Sequence, residues 1–301
     1  ETATSPVIGY AAKRSATGTK TDTPIMETPA SVQVVPREVI EDQKAVNLKD
    51  VYENISGVQQ AGNTLNAQSE VLPIIRGFES PSLLRNGLRS TIAGSVDLVN
   101  VERVEVLKGP ASILYGALEP GGVINYVTKR PTDELKGSVS LYTQMPEDSA
   151  EGASRRANFN LGGGLTENLG FRLYGGLAKT DADDLDINAS HANSALSAGR
   201  EGVRNKDING MLSWKLNDEH RFETSAGYSR QGNIYAGDTM NSNGGSNVDL
   251  ISSLYGHETN VMQRNTYDLT HLGDFAWGTS KTTLAYEYVR NWRLNEGLAG
   301  G

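Results

Sequence analysis

From about Gly137 onward the chain repeats one kind of element, and the connections between its copies alternate in length. Candidate strands fall at about 137–144, 155–163, 169–179, 206–216, 221–231, 264–276 and 281–293, each with a period of two. In Ala157–Leu161 the odd positions are apolar and the even ones are asparagines. Ile208, Leu212 and Trp214 share a face opposite Asn209 and Ser213, and Leu284, Tyr286 and Tyr288 share one opposite Glu287. The links at 145–154, 180–205 and 232–263 are long, whereas those at 164–168, 217–220 and 277–280 are short, and another long loop opens at 294. Short turns on one side and long loops on the other are the pattern of an up-and-down barrel in an outer membrane, with the long loops outside. A soluble all-β domain is the other reading of the strands alone, but it has no reason to sort its loop lengths by side.

Composition is compatible with this. Charged residues make up 21% of the 301 and no run reaches the roughly 18 apolar residues of a membrane-spanning helix. A barrel strand needs only about 10 residues, and only every second one meets lipid. The chain has no cysteine, which removes disulfide scaffolds, thiolate metal sites and cysteine nucleophiles. A net charge of -8 argues against a broad nucleic-acid surface. The four histidines, His191, His220, His257 and His271, form no HExxH motif, and no G-x-S-x-G is present, so hydrolase chemistry has no footing. Asp181–Asp186 is acidic but lacks the glycine and terminal glutamate of a calcium loop, which leaves a solvated loop as its reading.

Ahead of the strands the pattern differs. Residues 1–28 are rich in Thr, Ser, Gly and Lys without apolar periodicity, and are expected to be extended or disordered. Residues 29–135 read as a small α+β domain. It has a strand at 31–35, helices at 37–43 and 47–54, and strands at 73–76, 101–107 and 121–127. Gly109-Pro110 and Gly121-Gly122 mark tight reversals, with no phosphate-loop lysine following. Residues 136–301 then begin the barrel. Seven strands cannot close around a domain of this size, because plugged barrels have about 22.

Several segments carry a family resemblance. TPASVQVVP (28–36), IRGF (75–78), VERVEVLKGPASILYG (101–116) and EPGGVINYVTKRP (119–131) resemble the plug of TonB-dependent ferric siderophore receptors. Residues 15–24 and the plug look like the ferrichrome, or hydroxamate, branch. The segments 151–159, 198–203, 205–209, 226–238 and 295–301 are similar to the ferric enterobactin, or catecholate, branch. The change falls near 135–145, as in a natural mosaic or a joining of two receptors' parts.

The resemblance implies a non-enzymatic receptor of the bacterial outer membrane that imports a ferric siderophore with energy from the TonB–ExbB–ExbD complex. Catecholate is favoured over hydroxamate because the long loops form most of the ligand's cage, and a non-transporting fragment of receptor parts is the remaining alternative. Outer-membrane lipid is a further partner, and colicins or phage could use the loops. The iron arrives fully chelated, so no cofactor and no protein metal ligands are expected. Aromatic faces and cations should hold the chelate, and the candidates are Arg85, Arg89, Tyr235, Tyr255, Arg264, Arg290, Trp292 and Arg293, with Tyr267 beside them. An interface girdle is the other reading of each aromatic. Arg76, Glu102, Arg103, Glu105 and Lys108 are the candidates for anchoring plug to barrel, against the plain reading of surface ion pairs. Lys108 stands where arginine is usual and gives up a bidentate fork. Nothing in Glu1–Ala12 resembles a TonB box, so that segment is expected upstream or absent.

Overall fold

The computed structural model describes residues 2–45, 48–60, 73–79, 83–90, 96, 98–109, 112–116, 120–184, 201–235 and 256–293. Tyr255, the loop from 294 and most of the loops at 180–205 and 232–263 lie outside them. The chain divides into two compact units: residues 1–64, 68–133 and 164–172 form the first, and 65–67, 134–163 and 173–301 the second.

The first unit is built on a mixed five-stranded sheet. Its strands are β1 (Ser31–Pro36), β2 (Leu83–Arg85), β3 (Leu88–Arg89), β4 (Val101–Lys108) and β5 (Gly122–Thr128), in the order β1-β4-β5-β2-β3. Pro36 ends β1 and, with φ of -77°, leads directly into helix α1 (Arg37–Asp42), a position where a missing N–H costs nothing. Helix α2 (Leu48–Tyr52) buries Leu48, Val51 and Tyr52. These pack with Val35, Ile40, Ile75, Val104, Val106 and Ile124 into one apolar core. Each such side chain contributes about 1.5–3 kcal/mol by leaving water.

Two turns have specific chemical causes. Asn86 and Gly87, at φ of 51° and 81°, form the two-residue hairpin between β2 and β3, and an Asn-Gly pair is suited to that left-handed geometry. At Gly122, φ is 131° and a Cβ would fall inside the van der Waals shell of the Leu107 carbonyl oxygen. The conformational role read for the Gly121-Gly122 pair is therefore enforced twice.

The stretch read as extended or disordered is tied down instead. Arg14–Ser15 bridges Thr23–Pro24, and Ser15 and Thr17 are buried. Polar side chains hold this segment, so no apolar period announces it.

The second unit carries a seven-stranded antiparallel sheet in simple sequence order. Its strands are β6 (Lys136–Gln144), β7 (Ser154–Thr166), β8 (Leu169–Thr180), β9 (Gly202–Lys215), β10 (His220–Ile234), β11 (Glu258–Phe275) and β12 (Gly278–Arg293). All seven expected strands are present, and β9 and β11 begin four and six residues earlier than alternation suggested. Charged residues at these ends break the apolar pattern, while backbone pairing continues past them.

Register sorts the side chains into two faces. Val139 lies opposite Phe159, Ile208 opposite Tyr228, Tyr267 opposite Tyr286, and Leu269 opposite Leu284, all on one apolar face. Leu141, Leu177, Trp214, Leu284 and Tyr286 there are exposed. The opposite face carries Asn158, Asn209, Glu223, Ser225, Asp268 and Glu287. In water the exposed apolar face would be a liability; in a bilayer it is the lipid surface.

Replacing Gly122 by alanine is expected to lower the stability of the first unit by about 2–4 kcal/mol, from left-handed strain plus the clash with Leu107. Urea unfolding followed by plug-specific proteolysis measures it, and Gly87→Ala, where a Cβ meets open space, should cost less.

Candidate functional site

Strand β4 carries Glu102, Arg103, Glu105 and Lys108, and these turn mostly inward. Arg103 and Glu105 are fully buried, with Arg103 Nε 3.0 Å from Glu105 Oε1. The other carboxylate oxygen of Glu105 accepts hydrogen bonds from Ser15 Oγ at 2.7 Å and from Thr17 Oγ1. Arg103 Nη1 donates to the Arg14 carbonyl at 3.4 Å. Two of the five residues expected to anchor plug to barrel thus pair with each other and clasp the N-terminal segment. Lys108 likewise donates inside the first unit, to Gln33 Oε1 at 2.9 Å and Ser56 Oγ at 3.0 Å. Arg76 is exposed at φ of 52°, beside Gly77 in the turn the sequence marked, and its N–H donates to the Gly57 carbonyl.

A second cluster gathers at the corner before β4. Arg172 Nε donates to Asn100 Oδ1 at 2.8 Å, Arg37 Nη1 to the Val101 carbonyl at 3.1 Å, and the Lys129 amide to the Asn100 carbonyl. Glu102 sits among them. Burial raises its carboxyl above the ordinary range, opposed by the charges of Lys129, Arg37, Arg103 and Arg172. Burial, together with the neighbouring Arg37 and Arg172, brings the Lys129 ammonium down to about 8. Nothing in the sequence singled out Lys129 or Arg172, since the contacts that gather them are non-local.

The candidates for ligand contact are dispersed. Arg85 and Arg89 stand on the Asn86-Gly87 hairpin, which is pinned by Gly87 N–H to Asn125 Oδ1 and Thr128 N–H to Asn86 Oδ1, both at 2.9 Å. Leu84 pairs with Arg89 and Arg85 with Leu88, so the two arginines lie on opposite faces of the hairpin. Tyr235 is buried at the loop end of β10, its backbone bonded to His257 and Gly256.

Arg264 lies on the polar face, with Nε 2.9 Å from Glu287 Oε1. Arg290 and Trp292, two of the residues read as ligand candidates, fall on the apolar face with Tyr286 and Tyr288. There the guanidinium of Arg290 sits over the Trp292 ring at 5.2 Å. Tyr267 stacks on Tyr286 on the same face. The girdle reading fits these aromatics better. Arg293 pairs through its backbone with Asn260, and its side chain, like all of Tyr255, lies outside the described residues. Asp183, in the acidic run, accepts a hydrogen bond from the Gly152 amide and so closes a loop. Among the described residues, no three of the metal-ligating types group to hold an ion.

Comparisons with known proteins agree with this architecture. Residues 24–123 match the TonB-dependent Receptor Plug Domain. The ferric enterobactin receptor PirA of Pseudomonas aeruginosa is 43% identical over 295 residues, covering 89% of this chain and 39% of that protein. The ferrienterobactin receptor of Escherichia coli is 38% identical, covering 92% of this chain and 40% of its own length. A ferric enterobactin receptor variant from Pseudomonas aeruginosa, solved in complex with enterobactin, superposes with a TM-score of 0.75 at 40% identity, over 89% of this chain and 42% of that one. The chain thus spans about two fifths of the length of these relatives, and matches them over about nine tenths of its own.

Removing one partner of the buried pair should be costly. Glu105→Ala strands the Arg103 charge and is expected to destabilise the first unit by about 3–5 kcal/mol, and Ser15→Ala by about 1 kcal/mol, both read from urea midpoints. The Lys129 ammonium predicts a pH effect of defined sign. Its folded value of about 8 lies below the ordinary 10.5, so the unfolded chain binds more protons between them and stability rises with pH across that window. The stability of the wild type relative to Lys129→Met, measured from pH 7 to 10, should rise as pH increases.

With a TonB-dependent receptor plug domain at residues 24–123 and, after it, antiparallel strands with one apolar and one polar face, the chain belongs to the TonB-dependent receptors of the outer membrane.

Proposed function

We propose that this protein serves the uptake of a ferric catecholate siderophore of the enterobactin type, with import driven through the TonB–ExbB–ExbD complex. The observation that carries the reading is that relatives named for ferric enterobactin match about nine tenths of the chain, across both units. Such a chelate is anionic and rich in aromatic rings, and cations with aromatic faces complement it. Arg85 and Arg89 stand on a hairpin whose position is held by side-chain hydrogen bonds, which suits a contact made without reordering. Arg264 is already engaged by Glu287, which suits a support for the polar face more than a free cation for the ligand.

Titration of tryptophan fluorescence in the full-length receptor tests the ligand class. Ferric enterobactin is expected to quench at micromolar concentration or below, with ferrichrome at least about 100-fold weaker, a difference of roughly 2.7 kcal/mol. Tighter binding of ferrichrome would move the reading to the hydroxamate branch, and no quenching by either would overturn it. Arg89→Ala should weaken ferric enterobactin binding by about 3–30-fold, whereas Arg290→Ala should leave it within about twofold, because register places that arginine on the lipid side.

A further inference from the structure

The short-turn end of the apolar face holds two histidines turned toward each other. His220 opens β10, and His271 lies near the end of β11. Register sets Phe222 opposite His271 and Gly273 opposite His220, so the histidines are diagonal neighbours on the face that carries Trp214, Phe222 and Leu269. His220 Nδ1 lies 2.9 Å from His271 Nε2. The ring centres are 5.1 Å apart with 28° between the planes, so the rings meet nitrogen to nitrogen, edge against edge.

Aromatic rings enclose the pair. Phe222 packs on His271 with centroids 4.9 Å apart, and Phe275 meets His220 edge-on at 5.3 Å. Trp214 lies beyond Phe222, and Trp277 beyond Phe275. Aromatic residues at this level form the girdle of a barrel, and the short turns put it on the periplasmic side. A girdle asks an amphipathic ring to send its polar tip to water. These two rings direct a nitrogen at each other instead, an orientation that girdle packing alone does not account for.

An N–H···N contact needs one ring to donate and the other to accept. Two imidazole nitrogens aimed at one point are also the donor set that holds a transition-metal ion such as Zn2+ or Cu2+. The backbone around the pair is fixed. The His220 N–H donates to Asn217 Oδ1 at 2.8 Å and its carbonyl accepts from the Leu216 N–H at 3.0 Å, while the Asp274 N–H donates to the Glu219 carbonyl at 2.9 Å. A metal–nitrogen bond is about 2.0–2.1 Å, so tetrahedral chelation sets the two nitrogens roughly 3.3 Å apart. Small ring rotations supply the difference from 2.9 Å. Both rings are half-buried, which leaves room for water in the remaining positions. Among the described residues no third histidine, aspartate or glutamate joins them, so the arrangement suits an exchangeable ion and not a closed structural centre.

We propose that His220 and His271 chelate one divalent transition-metal ion, Cu2+ more tightly than Zn2+, and that the ion clips β10 to β11 at the short-turn rim. It is distinct from the iron of a siderophore, which arrives fully chelated. The site rests on the outer-membrane location of the protein and not on the identity of the siderophore.

Calorimetric titration of the untagged full-length receptor in detergent, first freed of metal with EDTA, tests this with CuCl2, ZnCl2 and MgCl2. One saturable equivalent of Cu2+ is expected, with Zn2+ weaker and Mg2+ at least about 100-fold weaker, because imidazole does not suit that hard ion. His220→Gln and His271→Gln should each weaken Cu2+ binding by at least about tenfold, roughly 1.4 kcal/mol, while His257→Gln should stay within about twofold. Gel mobility without heating, which reports a folded barrel, should match across the variants. Electron paramagnetic resonance of the bound Cu2+ should show two imidazole nitrogens in the wild type, a readout that needs no variant. No saturable binding, a single imidazole in the wild type, or undiminished binding in both glutamine variants would overturn the site. Mg2+ binding as tight as that of Cu2+ would overturn the imidazole assignment in favour of carboxylates.

Discussion

Cross-strand register is the constraint on which the second unit depends. Side chains alternate along a strand, so one pairing choice fixes the face of every residue, and a slip by one position would exchange the two faces completely. The observed pairing collects Phe159, Ile208, Leu212, Tyr267, Leu284 and Tyr286 on one side and Asn158, Ser225, Asp268 and Glu287 on the other. A slip in β12 alone would carry Glu287 into hydrocarbon and break its ion pair with Arg264, so the lipid itself selects the register. The same alternation places the Tyr267–Tyr286 stack on the apolar face and the Arg264–Glu287 pair on the polar one, without either needing a separate device.

The first unit meets a different demand. It places a full guanidinium and a carboxylate where water does not reach, at a desolvation cost of several kcal/mol per ion. The Arg103–Glu105 pair offsets part of this, and Ser15, Thr17 and the Arg14 carbonyl offset more by hydrogen bonding. Those offsetting groups come from residues 14–17, so the interior of the unit is completed by a segment with little apolar hold of its own. Withdrawing that segment would admit water to both ions. The desolvation cost would then be relieved as the hydrogen bonds were lost, which makes the segment easier to remove than an apolar element of equal length.

What could be read in the sequence follows from the same physics. The seven strands were legible because lipid on one side and polar groups on the other impose strict alternation, and the turns at Gly109 and Gly122 because the backbone there needs positive φ. The place of residues 14–17 was not legible, since polar-to-polar contacts at a separation of some ninety residues leave no local period. The candidate site was legible in chemical type more than in direction. Arg290 and Trp292 have the side chains a ferric chelate would attract, yet they share parity with Leu284 and Tyr286, and that parity, readable in the sequence, points them to lipid. Arg103 and Glu105 were marked as important, but two residues of like parity on one strand reach each other more readily than a distant wall.

Charge is therefore handled in two ways in one chain. Inside the first unit an ion is tolerated because a counter-ion and hydroxyl groups replace the water it lost. On the sheet it is tolerated because the strands extend past the apolar band, where the guanidinium and ammonium groups of Arg204, Lys206 and Arg290 are exposed and keep their hydration. The difference shows in the fate of neutralising substitutions. Losing Glu105 strands a buried partner, whereas losing Lys206 relieves its repulsion with Arg230, opposite it in register.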